Sequence, residues 1–259
     1  MMDDERPVGR VLTRREMLVA LGASGVAILA RCSGSGSPSR SAADSRSPAA
    51  AGSGAAATAF AGCVARPEQT EGPYFVDELL HRSDVRSDPT TGDVAPGALL
   101  ALSFNVSRLD DGACAPLEGA VVDIWQCDHR GVYSDVRDPG FDTVGRKFLR
   151  GYQVTDADGV ARFSTIYPGW YPGRTVHIHF KIRSEPTADP GFEFTSQVYF
   201  PDDLTDRVHA QEPYAGRGER SVRNDRDGIY RRGGSQLLLA VSPEGEGLAA
   251  RFDVALQGV

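Results

Sequence analysis

Thr175-Val176-His177-Ile178-His179-Phe180-Lys181-Ile182-Arg183 is the stretch from which the rest of the chain can be read. Successive side chains of a β-strand point to opposite faces, so Val176, Ile178, Phe180 and Ile182 form one apolar face. His177, His179 and Lys181 fall on the other. Two imidazoles at i and i+2 on a rigid strand can chelate one metal ion, although the same alternation also describes a solvated face opposite a core. The loop just before it, Tyr167-Pro168-Gly169-Trp170-Tyr171-Pro172-Gly173-Arg174, adds weight to the metal reading. Its prolines and glycines fix the backbone direction, and Tyr171 can return over the strand end toward the imidazoles. Phenolate and imidazole together suit a hard, Lewis-acidic cation such as Fe3+ better than Zn2+ or Ca2+. Taken alone, these tyrosines would serve equally well as core or turn aromatics.

Working outward, the body keeps to short alternating runs. Leu100, Leu102, Phe104 and Val106 alternate before Asp110-Asp111-Gly112 turns the chain, and Ala120, Val122 and Ile124 alternate against Val121, Asp123 and Trp125. Residues 148–155 and 160–165 flank Asp156-Ala157-Asp158-Gly159, a hairpin signal. Further strands are expected at 175–183, 195–200, 236–242 and 249–256. No long stripe of period 3.6 appears. The fold class is therefore all-β, an antiparallel β-sandwich with long irregular loops.

The 259 residues are 41% hydrophobic and 24% charged, enough for one substantial core, and the net charge is −7. That acidic balance argues against a general nucleic-acid binder, which carries a basic stripe. Four cysteines are too few for a disulfide-built scaffold. Residues 1–32 read as a signal segment: Arg14 and Arg15 precede the uncharged run Met17–Ala30. The paired arginines resemble the twin-arginine signal, which exports folded proteins across the bacterial inner membrane. Cys32 resembles a lipidated cysteine, hence a lipid anchor, but Arg31 stands where a small residue is usual. Residues 33–62 are a flexible linker, since 24 of the 29 positions from 33 to 61 are Ser, Ala, Gly or Pro. The folded domain spans 63–259. Cys63 and Cys114 are available to each other in an exported chain, leaving Cys127 on its strand, but sequence alone does not fix the pairing.

Several motifs together resemble the intradiol ring-cleavage dioxygenases of the catechol and protocatechuate type. They are Pro67–Phe75 (PEQTEGPYF), Gly119–Asp128 (GAVVDIWQCD), Gly131-Val132-Tyr133-Ser134, Phe148–Gly151, Thr165–Tyr171, Arg174–Phe180 and Gln197–Phe200. The resemblance implies one non-haem Fe(3+) held by Tyr133, Tyr171, His177 and His179. It makes Tyr171 the ligand that leaves iron when a catechol binds, Arg174 the group stabilising negative charge on the ring, and Gln197 a pocket residue. Pro73 and Tyr74 match a substrate-lining segment, or else form a turn with one packed aromatic. The implied reaction takes a catechol-type substrate and O2 to a cis,cis-muconate-type diacid. Gln126 stands where relatives often carry histidine, a position outside the ligand set. The family's cytosolic members dimerise through a helical N-terminal region; the linker occupies that place here, which leaves the oligomeric state, a homodimer included, open.

The rival reading is an exported β-sandwich without iron that binds carbohydrate or a protein, because fold alone does not license function. Such a module has no reason to keep all four ligand positions and Arg174. His129 is expected to be exposed in its turn. His81 and His209 are expected at exposed or hydrogen-bonded surface positions, and 219–232 as a solvated loop.

Overall fold

The computed structural model describes residues 63–186 and 191–259. The signal segment, Cys32 and the linker lie outside them. Eleven strands appear among the described residues: β1 (Leu99–Asp110), β2 (Ala113–Pro116), β3 (Val121–Trp125), β4 (Arg137–Asp138), β5 (Phe141–Asp142), β6 (Arg150–Val154), β7 (Val160–Ile166), β8 (His177–Arg183), β9 (Glu193–Tyr199), β10 (Ala240–Glu244) and β11 (Gly247–Gln257). A short helix, α1 (Asp202–His209), follows β9. No helix among these residues is long and apolar enough to cross a membrane.

Alternation in β1 buries Leu100, Leu102, Phe104 and Val106 almost completely. Asp111 and Gly112 both take positive φ, the primed turn that matches strand twist, and hand the chain to β2. One sheet runs β10-β11-β1-β2, with β7 also paired to β1; the other runs β6-β3-β8-β9. All pairings between these strands are antiparallel except β1 with β11. The sheets face each other through a shared core in which the Phe180 ring lies 5.0 Å from Phe104 and 5.5 Å from Phe252. Each phenylalanine so buried contributes roughly 1.5–3 kcal/mol. Cys63 and Cys114 form a disulfide, while Cys127 is buried and free.

Two expectations are corrected. The turn at 156–159 does not close a hairpin, because β6 pairs with β3 and β7 with β1, in different sheets. Gly159 has φ +73°, and a Cβ there would meet the Val106 carbonyl oxygen at 2.3 Å, so the turn sits against β1 and crosses the sandwich. The strand expected at 236–242 begins only at Ala240. Gly233 is left-handed, Gly234–Leu237 is a 3-10 turn, and Leu239 donates to the Tyr199 carbonyl before the chain changes sheets.

Candidate metal centre and active site

β8 is hydrogen-bonded to β3 on one side and β9 on the other, so both of its edges are paired. Its apolar face enters the core. The other face is buried too, contrary to the solvated alternative, and Lys181 is covered by Glu71 and Glu193 at 2.5 and 2.9 Å. His177 and His179 are 2% and 1% exposed, with their Nε2 atoms 3.1 Å apart. Tyr133, on the loop after β3, brings its hydroxyl to 3.4 Å from His177 Nε2, and Tyr171 brings its own to 3.2 Å. Four donor atoms from one strand and two loops thus come together, three of them around His177 Nε2.

This gathering fits a metal ion. Bonds of about 2.1 Å meeting at right angles or slightly wider place neighbouring donors roughly 3.0–3.4 Å apart, the range seen here. The His177 Nδ1–H donates to the Thr175 carbonyl at 2.7 Å, leaving the lone pair on Nε2 facing the other donors. Burial, reinforced by the positive charge of Arg174, lowers the His177 pKa to about 3. His179 is held well below the usual imidazole range by burial and by His177. Burial raises both phenols, against the opposing charge of Arg174. Before a metal enters, the set is neutral: two imidazole lone pairs and two phenols whose protons a cation would displace. Among the described residues no three of His, Cys, Asp and Glu converge in this way, so a cation held here would depend on the phenols as well.

Arg174 Nη1 lies 3.4 Å from His177 Nε2, placing a guanidinium beside the four donors. Its Nη2 donates to Gln197 Oε1 at 2.5 Å, and Gln197 Nε2 donates to the Thr70 carbonyl at 2.9 Å. Its Nε donates to Asp227 Oδ2 at 2.8 Å. Asp227, fully buried, was not anticipated; it lies in the 219–232 run expected to be solvated. Burial pushes its carboxyl up, but hydrogen bonds from the Tyr230 and Thr175 amides and the charge of Arg174 outweigh this and hold it low. Asn224 from the same run accepts from the Thr175 hydroxyl at 2.6 Å. Nothing in a mixed-charge run separates these two buried residues from their exposed neighbours.

Tyr74 stacks on Tyr133 with centroids 4.5 Å apart and donates to Asp138 at 2.8 Å. Pro73 is exposed beside it. Gly72, at φ +75°, lets this segment approach the histidines: a Cβ there would lie 3.2 Å from His179 Cε1. Trp125 stacks on the far side of His179 at 5.0 Å, nearly parallel. Two further glycines bring the ligand loops together. A Cβ on Gly131 would meet the Trp170 carbonyl oxygen at 2.2 Å, and one on Gly169 the His129 carbonyl oxygen at 2.4 Å. Gln126 is buried and structural, bonded to Ile166 and Thr165. His129 is half-buried rather than exposed, edge-on to Tyr214, because its turn packs under the Gly169 loop. His81 is exposed and stacked on Tyr152, and His209 is hydrogen-bonded to the Pro168 carbonyl. None of these three joins the site.

A family model described as Dioxygenase matches residues 70–211. The protocatechuate 3,4-dioxygenase beta chain of Burkholderia cepacia is 32% identical over 161 residues, covering 58% of this chain and 61% of the relative. The chain therefore spans less than two thirds of that curated relative. Among solved structures, an intradiol ring-cleavage dioxygenase from Tetranychus urticae is 31% identical with a TM-score of 0.64, covering 76% of this chain and 96% of that one. The dioxygenase domain of a dioxygenase–carbohydrate-binding protein fusion from Streptomyces sp. SirexAA-E is 32% identical with a TM-score of 0.53, covering 76% and 100%.

Proposed function

The chain belongs to the intradiol ring-cleavage dioxygenase family, and from that premise we propose that it opens the ring of a catechol-type diol with O2, giving a cis,cis-muconate-type diacid. The observation that carries this reading is the meeting of Tyr133, Tyr171, His177 and His179 beside the Arg174 guanidinium. These four side chains would hold one Fe(3+), which supplies Lewis acidity toward the two diol oxygens and makes the ring reactive to O2.

The protein's own groups divide the remaining work. Tyr171 is only partly buried, whereas Tyr133, His177 and His179 are almost fully enclosed. Its oxygen is therefore the donor that could turn outward and, once ionised by the bound cation, take up a proton from the diol as a base. Arg174, fixed by Gln197 and Asp227, places positive charge where the ring becomes electron-rich. One preorganised donor of this kind lowers a barrier by roughly 3–4 kcal/mol. Pro73 and Tyr74 form the rim beside Tyr133, where an aromatic substrate would rest. Trp125 and Tyr74 cover the ligands and exclude water from them.

The test is catechol turnover by the iron-loaded protein under isotopically labelled O2. The reading requires a ring-opened dicarboxylate carrying both labelled oxygens; an unopened quinone or an aldehyde product would contradict it.

The paired arginines support export across the bacterial inner membrane by the twin-arginine route, to the extracellular side or to a membrane anchor at Cys32. Arg14→Lys with Arg15→Lys should then trap the precursor in the cytoplasm, and normal export of that double variant would contradict the assignment.

A further inference from the structure

Arg174 is steered from a part of the chain remote in sequence. Asp227 Oδ2 accepts from Arg174 Nε and from the Thr175 amide, both at 2.8 Å. Its Oδ1 accepts from the amides of Ile229 and Tyr230 at 2.7 and 2.9 Å. Four donors lock the carboxylate, which is fully buried. The guanidinium is gripped at two corners, Nε by Asp227 and Nη2 by Gln197, leaving Nη1 toward the four donors.

Resting on the function proposed above, we infer that Asp227 is a positioning residue, fixing the guanidinium plane of Arg174 against the substrate site. A monodentate cation in the same place lacks the fork that both partners hold.

The test is a double-mutant cycle on the full chain. Asp227→Asn keeps the shape and removes the charge. It should lower kcat by about 10–100-fold, as losing a group that only orients an active side chain does, with KM and iron content little changed, while the urea unfolding midpoint falls because a buried ionic acceptor of four hydrogen bonds is lost. In an Arg174→Ala background the same substitution should cost less than about twofold, because its effect runs through the arginine. Equal losses in both backgrounds would make Asp227 merely structural and overturn the inference. Arg174→Lys, which leaves Asp227 untouched, should lose most of the turnover that Arg174→Ala loses; near wild-type turnover would overturn it as well.

A readout without iron or activity separates this inference from the functional reading. In the metal-free chain, the Arg174 Nε–H should give a slowly exchanging proton–nitrogen NMR signal, absent in Arg174→Ala and shifted or lost in Asp227→Asn. Persistence of that signal unchanged in Asp227→Asn refutes the positioning. Absence of catechol turnover in the wild type, with the signal responding as expected, refutes the functional reading and leaves the Asp227–Arg174 coupling standing.

Discussion

His177 and His179 stand on β8, hydrogen-bonded between β3 and β9, whereas Tyr133 and Tyr171 stand on loops held together by glycine contacts and side-chain bonds. The strand puts both imidazoles on one face by its pleat, and the Thr175 carbonyl and the Trp125 ring orient them. The loops need more parts. Thr143 donates to the Tyr133 carbonyl and Ser134 to the Phe148 carbonyl, each at 2.6 Å, and Arg150 Nε donates to the Ser134 hydroxyl at 2.8 Å. Gly131 and Gly169 then let the two loops touch backbone to backbone. On the proposed function, the strand half would hold the metal and the loop half would be the part able to give up one donor.

The largest effect should follow from breaking the strand half. His177→Ala or His179→Ala removes a donor that nothing nearby replaces. Iron retention and turnover should both fall by more than the roughly 10–100-fold typical of losing a group that merely supports a ligand, measured by metal analysis and catechol consumption. Tyr171→Phe probes the loop half and should differ in kind: iron stays, the visible band shifts and turnover drops. Loss of iron in Tyr171→Phe as complete as in the histidine variants would erase the distinction.

Arg174→Ala removes no ligand. It should keep iron and colour while lowering kcat by roughly 10²–10³, the loss expected for one preorganised electrostatic donor. Gly131→Ala attacks the loop contact. Its φ is +83° and its Cβ would strike a backbone oxygen, so the loops must shift. A cost of about 1–3 kcal/mol in urea unfolding is expected, with a larger change in the tyrosine-dependent colour than in iron content.

The smallest effect concerns an ion pair that pins the loop leading into β6. Asp88 is enclosed and accepts from Thr90 and from Arg146 Nε at 2.5 Å. Burial alone would raise its pKa, but these bonds outweigh it and hold the carboxyl down at about 2. A depressed carboxylate stabilises the fold above its unfolded pKa, and that contribution is lost as pH falls through the folded value. Asp88→Asn should therefore be destabilised by about 1 kcal/mol at neutral pH, with the gap to wild type closing between pH 4 and 2. A gap independent of pH would remove the charge from the explanation.

Much of this was legible from the sequence because it is local. Alternation exposed β1, β3, β7, β8 and β11, and the HxH pattern with its aromatic loop pointed to three of the four side chains that come together at His177 Nε2. Tyr133 came from motif resemblance, since a lone tyrosine after a turn carries no spacing signal. What escaped was non-local. The 156–159 turn has hairpin chemistry, yet sheet membership depends on the partners of β6 and β7, chosen elsewhere. Asp227 reaches Arg174 across 53 positions, and its burial is invisible in a run rich in arginine and aspartate.

Titration of the metal-free chain with Fe3+, followed by visible absorption and proton release, tests most directly the claim that two strand histidines and two loop tyrosines meet on one ion. The account predicts saturation at one iron per chain, a red-brown phenolate band, and two protons released as the phenols ionise. A chain that stays colourless, or takes up iron equally well in the His177→Ala and His179→Ala variants, would contradict it.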